Sequence, residues 1–263
     1  MRSVVRSLFL VAFVALCITP LAVFVLYGFN ETEFLTGPFD LFSGFTTRKF
    51  ISVFSERDLG EAFVQTLWIS VCAAIFGTIL GFIVLYHTTI LFPAIRKNLY
   101  AASVFTWLAP GIIFAFPIFI MYDALLIYDT VIGFVFIYTF ISLTLCVIFL
   151  YYSFNASRGS VFEILKVEGL SPNVGLWRVV WPQQRRYTLG VVFLGFSVVW
   201  NDLLFAMFLS ERSVKPLSLE LVSLTAGTKL DWREMAAMSG VAVFPVIFLL
   251  AVIFVAAGRR RAE

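Results

Sequence analysis

Six stretches of this 263-residue chain lack Lys, Arg and Glu and are long enough to cross a bilayer: residues 8–29, 62–86, 99–122, 130–154, 187–209 and 235–258. A hydrocarbon core ~30 Å thick needs about 20 apolar residues per helical span. Lipid offers no hydrogen-bond partners, so each span must satisfy its own backbone, as a helix or within a closed barrel. Unbroken apolarity, in place of two-residue alternation, argues against the barrel. The expected fold is therefore all-α: a polytopic bundle of six transmembrane helices forming one domain over 1–263, with an N-terminal span at 8–29 and core spans within 62–258. Composition points the same way. With 61% hydrophobic and 13% charged residues, and a mean hydropathy of +0.97, the chain has too few polar groups to cover a water-soluble globule.

Arg2 and Arg6 give the first run the outline of a signal peptide. It continues for 22 residues, however, and no small-x-small pattern follows Tyr27-Gly28-Phe29-Asn30, so an uncleaved span is expected. Charge sets the orientation. Twelve Lys and Arg fall on the side of the N-terminus, of Arg96 and Lys97, of the segment 158–186 and of the tail 259–261, against seven on the other side. The positive-inside rule then places both termini in the cytoplasm. The outer loop 30–61 carries turn formers at Gly37-Pro38 and Gly44, and Ser55 with Asp58 has helix-capping spacing. Residues 87–98 read as a short inner loop. Residues 123–129 read as a tighter outer one that makes spans three and four antiparallel neighbours. Pro20, Pro110, Pro117 and Pro245 each remove a backbone donor from a span and are expected to kink or break it. Cys17, Cys72 and Cys146 all lie within spans and read as apolar packing residues, without a disulfide framework or metal site. His87 reads as an interfacial residue and Asp129 as a boundary residue.

The loop 155–186 holds an anomaly for so apolar a chain. Val161 to Val167 has helical character, Gly169 suits a left-handed helix cap, and Ser171-Pro172 reads as an N-cap followed by the first residue of a new helix. Two short helices meeting at a fixed elbow are expected. The second carries Val174, Leu176, Trp177, Val179, Val180 and Trp181, an apolar set on the water side that asks for a partner.

Glu163, Glu168-Gly169, Leu176, Val180 and Pro182 follow the spacing of the EAA loop, and the segment resembles that of permease subunits of binding-protein-dependent ABC importers. Ile164 and Leu165 stand in place of two alanines, Glu168 in place of Asp and Leu170 in place of Ala; a second proline after Pro182 is missing. Leu126-Ile127-Tyr128-Asp129-Thr130 with Gly133 and Tyr138-Thr139, then Trp200-Asn201-Asp202, then Asp231-Trp232 and Pro245, resemble the maltose-type carbohydrate-uptake permeases. Gly44-Phe45-Thr46-Thr47 is also similar to polyamine permeases, which stay open as an alternative. The resemblance implies half of a translocation pore for a sugar or related small solute in a prokaryotic inner membrane. It implies an ATPase-coupling set of Glu163, Glu168, Gly169, Ser171, Pro172, Leu176, Trp177 and Pro182. It also implies a homologous second permease, two ATPase subunits that bind ATP and Mg, and an extracytoplasmic solute-binding protein.

No cofactor, metal site or nucleic-acid partner is expected of this chain itself. It contains no G-x-x-x-x-G-K-[ST], H-E-x-x-H or G-x-S-x-G, so it reads as a permease subunit and not an enzyme. Two other classes remain: an ion-coupled secondary transporter, which calls for an intramembrane charge cluster, and a scaffold for which the elbow is only a docking site. Asp202 is the single formal charge within an expected span, where insertion costs about 2.5–3.5 kcal/mol, so it should be paired or face water. Either Asn201 and Asp202 lie on the pathway or its outer gate, or Asp202 makes a structural hydrogen bond that caps span five or ties it to a neighbouring helix. Glu163 and Glu168 are expected to pair with Lys166 or with the ATPase, not to act as an acid–base couple.

Overall fold

The computed structural model describes residues 2–30, 44–48, 50–51, 59–226 and 232–258. The expected turn at Gly37-Pro38, the Ser55–Asp58 cap, Asp231 and the basic tail lie outside these. The named elements among the described residues are helices: α1 (Arg2–Gly28), α2 (Leu59–Ile90), α3 (Pro93–Leu108), α4 (Ile112–Ala124), α5 (Val131–Val167), α6 (Pro172–Gly175), α7 (Trp181–Trp200), α8 (Leu204–Leu209), α9 (Leu217–Ala226) and α10 (Trp232–Gly258), with a π-helical segment, Leu176–Val180, between α6 and α7. The chain divides into two compact units, Met1–Phe63 with Leu219–Val246 and Val64–Ser218 with Ile247–Glu263.

Among the described residues four helices are long and apolar enough to span a membrane: α1, α2, α5 and α10. The pair α3 and α4 makes a fifth if its two halves count as one span. This differs from the six spans expected. The third run, 99–122, is two helices bent by 99° across Ala109-Pro110-Gly111. The fifth, 187–209, stops at Trp200 and restarts at Leu204. Pro20, Pro117 and Pro245 sit inside continuous helices, so of the four prolines expected to disturb spans only Pro110 lies at a break. The inner loop 87–98 shrinks to Leu91-Phe92, because α2 runs on to Ile90 and Pro93 supplies the preset φ that opens α3.

In the first unit, the residues of α1 from Leu8 to Val23 lack a protein cover, as expected of a lipid-facing helix. Its end is fixed by Phe29, whose ring stacks on Phe45 and Phe50 and whose carbonyl accepts the Thr46 N–H at 2.8 Å.

The second unit is built on the crossing of α2 and α5. Two glycines one turn apart on α2, Gly77 and Gly81, meet Ser142 and Cys146 on α5. A Cβ at Gly81 would stand 2.7 Å from the Cys146 Cβ and 2.9 Å from the Leu143 carbonyl, and one at Gly77 would collide with Ser142. Without a hydrophobic drive between helices in lipid, such close backbone approach supplies the dispersion contact that holds them. On either side of the crossing lies a core. One gathers Ile69, Ala73, Tyr138, Val199, Phe205 and Val214. The other gathers Phe82, Tyr86, Cys146, Leu150, Leu165, Leu176 and Val180.

Candidate functional site

The elbow begins as the end of the 37-residue helix α5, which continues straight from the fourth span, so its first arm is not the separate short helix expected. α5 closes with the Leu170 N–H donating to the Leu165 carbonyl at 3.0 Å, with Gly169 at φ +58 between them. That six-to-one bond around a left-handed residue is the Schellman arrangement, accompanied by packing of Leu165 and Leu170 in one cluster. Ser171 has the extended backbone of an N-cap (φ −66, ψ 152) with Pro172 following, but its hydroxyl makes no capping bond.

The second arm also runs on, through α6 and the π-helical segment into α7. The widening has a local cause: Pro182 lacks an N–H, and its ring would press on the carbonyl four residues back. The turn opens to an i−5 pattern in which the Trp181 N–H reaches the Leu176 carbonyl.

The apolar set of this arm divides. Leu176 and Val180 turn inward against Tyr86, Leu165 and Phe154, so the chain itself covers part of what the sequence suggested a partner would cover. Trp177, at 53% exposure, and Val174 face outward, together with Val167 at 83% across the elbow. Glu163, Glu168 and Pro182 are exposed as well; the Lys166 side chain lies outside the description. The arm is fastened to the end of α2. Tyr86 donates its hydroxyl to the Pro172 carbonyl at 2.6 Å, and His87 Nε2 lies 3.4 Å from Asn173 Oδ1.

Asn201 and Asp202 occupy the break after α7. The Asn201 amide donates to the Ser197 carbonyl at 2.8 Å and so terminates α7. Asp202 Oδ2 accepts both the Tyr138 hydroxyl at 2.8 Å and the Phe205 N–H at 2.9 Å, which ties α5 to the start of α8. Its own carbonyl accepts the Ser218 hydroxyl at 2.6 Å. Asp202 is half-buried, and beside it opens a cavity of about 410 Å³ whose walls include Trp107, Gly111, Phe114 and Phe140. Asp202 thus makes a bond that caps α8 and ties it to α5, and the residue also stands on a cavity wall.

No family model matches the chain. It is 28% identical over 192 residues to the inner membrane ABC transporter permease protein YcjP of Escherichia coli (strain K12), a match covering 73% of this chain and 69% of that protein. The chain resembles an ABC transporter permease. A likeness of fold covers nearly the whole length: a bacterial ABC transporter involved in the import of the acidic polysaccharide alginate matches at TM-score 0.74 with 18% identity, over 95% of this chain and 94% of that one.

On this permease-like fold sequence reasoning missed the partners of Asp129, Thr66 and Gln65, which are backbone groups, and the burial of Arg96. Asp129, itself at φ +51, accepts four consecutive N–H groups: Glu211 at 3.0 Å, Arg212 at 2.9 Å, Ser213 at 2.7 Å and Val214 at 3.1 Å. Partial burial alone would raise its pKa, but the four donors outweigh that and hold the carboxyl at about 2. Thr66 and Gln65 on α2 take the next free donors, the N–H groups of Leu217 and Lys215. Arg96, which sequence reading treated as a loop charge, is buried; it donates to Asn155 Oδ1 at 2.8 Å and to the Tyr151 carbonyl at 2.7 Å, with its guanidinium 4.3 Å from the Tyr151 ring centre.

Proposed function

We propose that this chain is the membrane-spanning permease subunit of an ATP-driven importer, forms half of the pore for a carbohydrate-type solute, and couples to an ATPase through the elbow at Gly169. The observation that carries the reading is the elbow's outer face. A left-handed cap and a tyrosine anchor hold it rigidly, yet it leaves Val167, Val174 and Trp177 uncovered while turning Leu176 and Val180 inward. A connector between two spans needs neither the rigidity nor the exposed tryptophan. Similarity to an ABC transporter permease, and a fold shared with an importer of an acidic polysaccharide, support the same reading.

In this reading Glu163 and Glu168 flank the docking face and offer charge to the ATPase. A second, homologous permease completes the pore, a pair of ATPase subunits binds ATP and Mg, and a solute-binding protein delivers cargo on the outer side. Both termini and the elbow lie in the cytoplasm, where Lys and Arg predominate. Movement of the ATPases acts on the elbow, and the continuous helix α5 on one arm and α7 on the other carry that movement into the membrane.

The test is to replace Trp177 and Val167 by Ala together and measure co-purification of the ATPase subunit and solute-stimulated hydrolysis. Both are expected to fall at least tenfold, since exposed aromatic anchors at interfaces carry about 2 kcal/mol or more. Wild-type values of both overturn the assignment, as does solute transport by the chain alone in liposomes.

A further inference from the structure

Two helix breaks face each other in the second unit. Ala109-Pro110-Gly111 interrupts the third apolar run and Asn201-Asp202-Leu203 the fifth. They meet so closely that a Cβ at Gly111 would stand 2.6 Å from Leu204 Cδ2. The cavity of about 410 Å³ lies at this junction. Its walls are mostly apolar and aromatic, including Trp107, Phe114, Phe140 and Phe205, with Thr106 and Asp202 among them. Trp107 is held in place by its Nε1–H donating to Thr144 Oγ1 at 3.1 Å.

Irregular backbone at membrane depth is tolerated only where protein buries it or where it lines a water-filled cavity, and a carboxylate there does not face acyl chains. The aromatic walls keep the dielectric low around that charge and focus its field into the cavity. We infer that this cavity is a water-accessible subsite for a hydrogen-bond-donating solute of neutral or positive charge, with Asp202 rejecting anions. A ring with an apolar face and hydroxyl groups fits its combination of aromatic wall and acceptor. The volume lies within the range of small-molecule pockets, about 300–1,000 Å³. The inference rests on the importer reading for the solute's purpose, but not for the cavity's charge or wetness. It also sets this chain apart from a path for an acidic sugar, the cargo of the transporter whose fold it shares.

The test uses the full-length chain in native membranes, with Cys17 and Cys72 replaced by Ala and a thiol introduced by Thr106→Cys. Buried Cys146 is retained; its protection from reagents until denaturation reports that the variant is folded. Reaction rates are measured with a cationic and an anionic methanethiosulfonate of similar size, first with Asp202 present and then after Asp202→Asn. The Asn oxygen can still accept from Tyr138 and the Phe205 N–H, so the substitution removes charge while keeping an acceptor. Both reagents should reach the thiol, and the ratio of cationic to anionic rate should fall about tenfold in Asp202→Asn. If Thr106→Cys does not accumulate, Val198→Cys on the facing wall reads the same cavity. Absence of reaction with both reagents at both positions overturns the water-accessible subsite, and a ratio unchanged by Asp202→Asn overturns the role of its charge. Neither result depends on ATPase binding, so failure here and failure of the importer reading are told apart.

Discussion

Asp129 and Ser213 are joined by the shortest of four bonds, the Ser213 N–H donating to Asp129 Oδ2 at 2.7 Å across 84 positions of sequence. One carboxylate thereby fixes the turn before α5 to the strap that leads into α9. Asp129→Asn should lower the thermal unfolding midpoint of the purified chain in detergent, because the amide offers one acceptor oxygen where four donors converge and places an NH₂ against the rest. The expected loss is about 1–3 kcal/mol, read as a shift of the transition.

The same carboxylate makes stability depend on pH at the acid end. Its folded pKa of about 2 lies below the ordinary value near 3.8. Its contribution is therefore complete above roughly pH 4 and is lost as pH falls through about 2. Solvent screening at this partly exposed site limits the effect to ~1 kcal/mol. Thermal midpoints of wild type and Asp129→Asn measured from pH 6 down to pH 2 should converge; curves that stay parallel count against the four-donor clamp.

How far the sequence speaks depends on whether a signal is local. Gly169 was legible because a left-handed cap selects glycine whatever surrounds it, and Pro110 because a missing donor is a covalent fact. The 99° bend at Pro110 was not legible, since Pro117 and Pro245 carry the same covalent defect within unbroken helices; neighbouring packing decides. Leu176 and Val180 were misread as partner-seeking because periodicity shows that a face is apolar without showing what covers it. Asp129 stayed hidden because its partners are main-chain N–H groups, which have no residue signature. Asp202 was flagged by the cost of its charge and by the Trp200-Asn201-Asp202 resemblance, and neither could name Tyr138.

Tyr138→Phe removes one of the two donors to Asp202 Oδ2 and should cost about 1–3 kcal/mol, since the acceptor belongs to a charged group. Asp202→Asn should cost less than Asp202→Ala, because only alanine leaves the Tyr138 hydroxyl, in a buried residue, without its acceptor. Unfolding midpoints of the three variants check the order; an alanine variant as stable as the asparagine one contradicts it.

The crossing of α2 and α5 admits no larger side chain at Gly81. Gly81→Val should destabilise by about 1–3 kcal/mol through overpacking. Cys146→Gly should recover part of that loss by removing the Cβ that would stand 2.7 Å from the added one, although the Leu143 carbonyl at 2.9 Å remains. A double-mutant cycle on thermal midpoints measures the coupling, and strict additivity argues against direct contact.

At the elbow, the cost of replacing Gly169 comes from backbone conformation alone, since nothing lies within 4 Å of an added Cβ. Holding φ at +58 costs an ordinary L-residue about 1–2 kcal/mol, whereas Asn visits this region more readily. ATPase co-purification should therefore rank Gly169 above Gly169→Asn, then Gly169→Ala, with the β-branched Gly169→Val lowest. A purely steric interface would rank the variants by volume and place Ala above Asn. The order of those two variants therefore decides whether the elbow couples through its fixed angle or through the surface at that position.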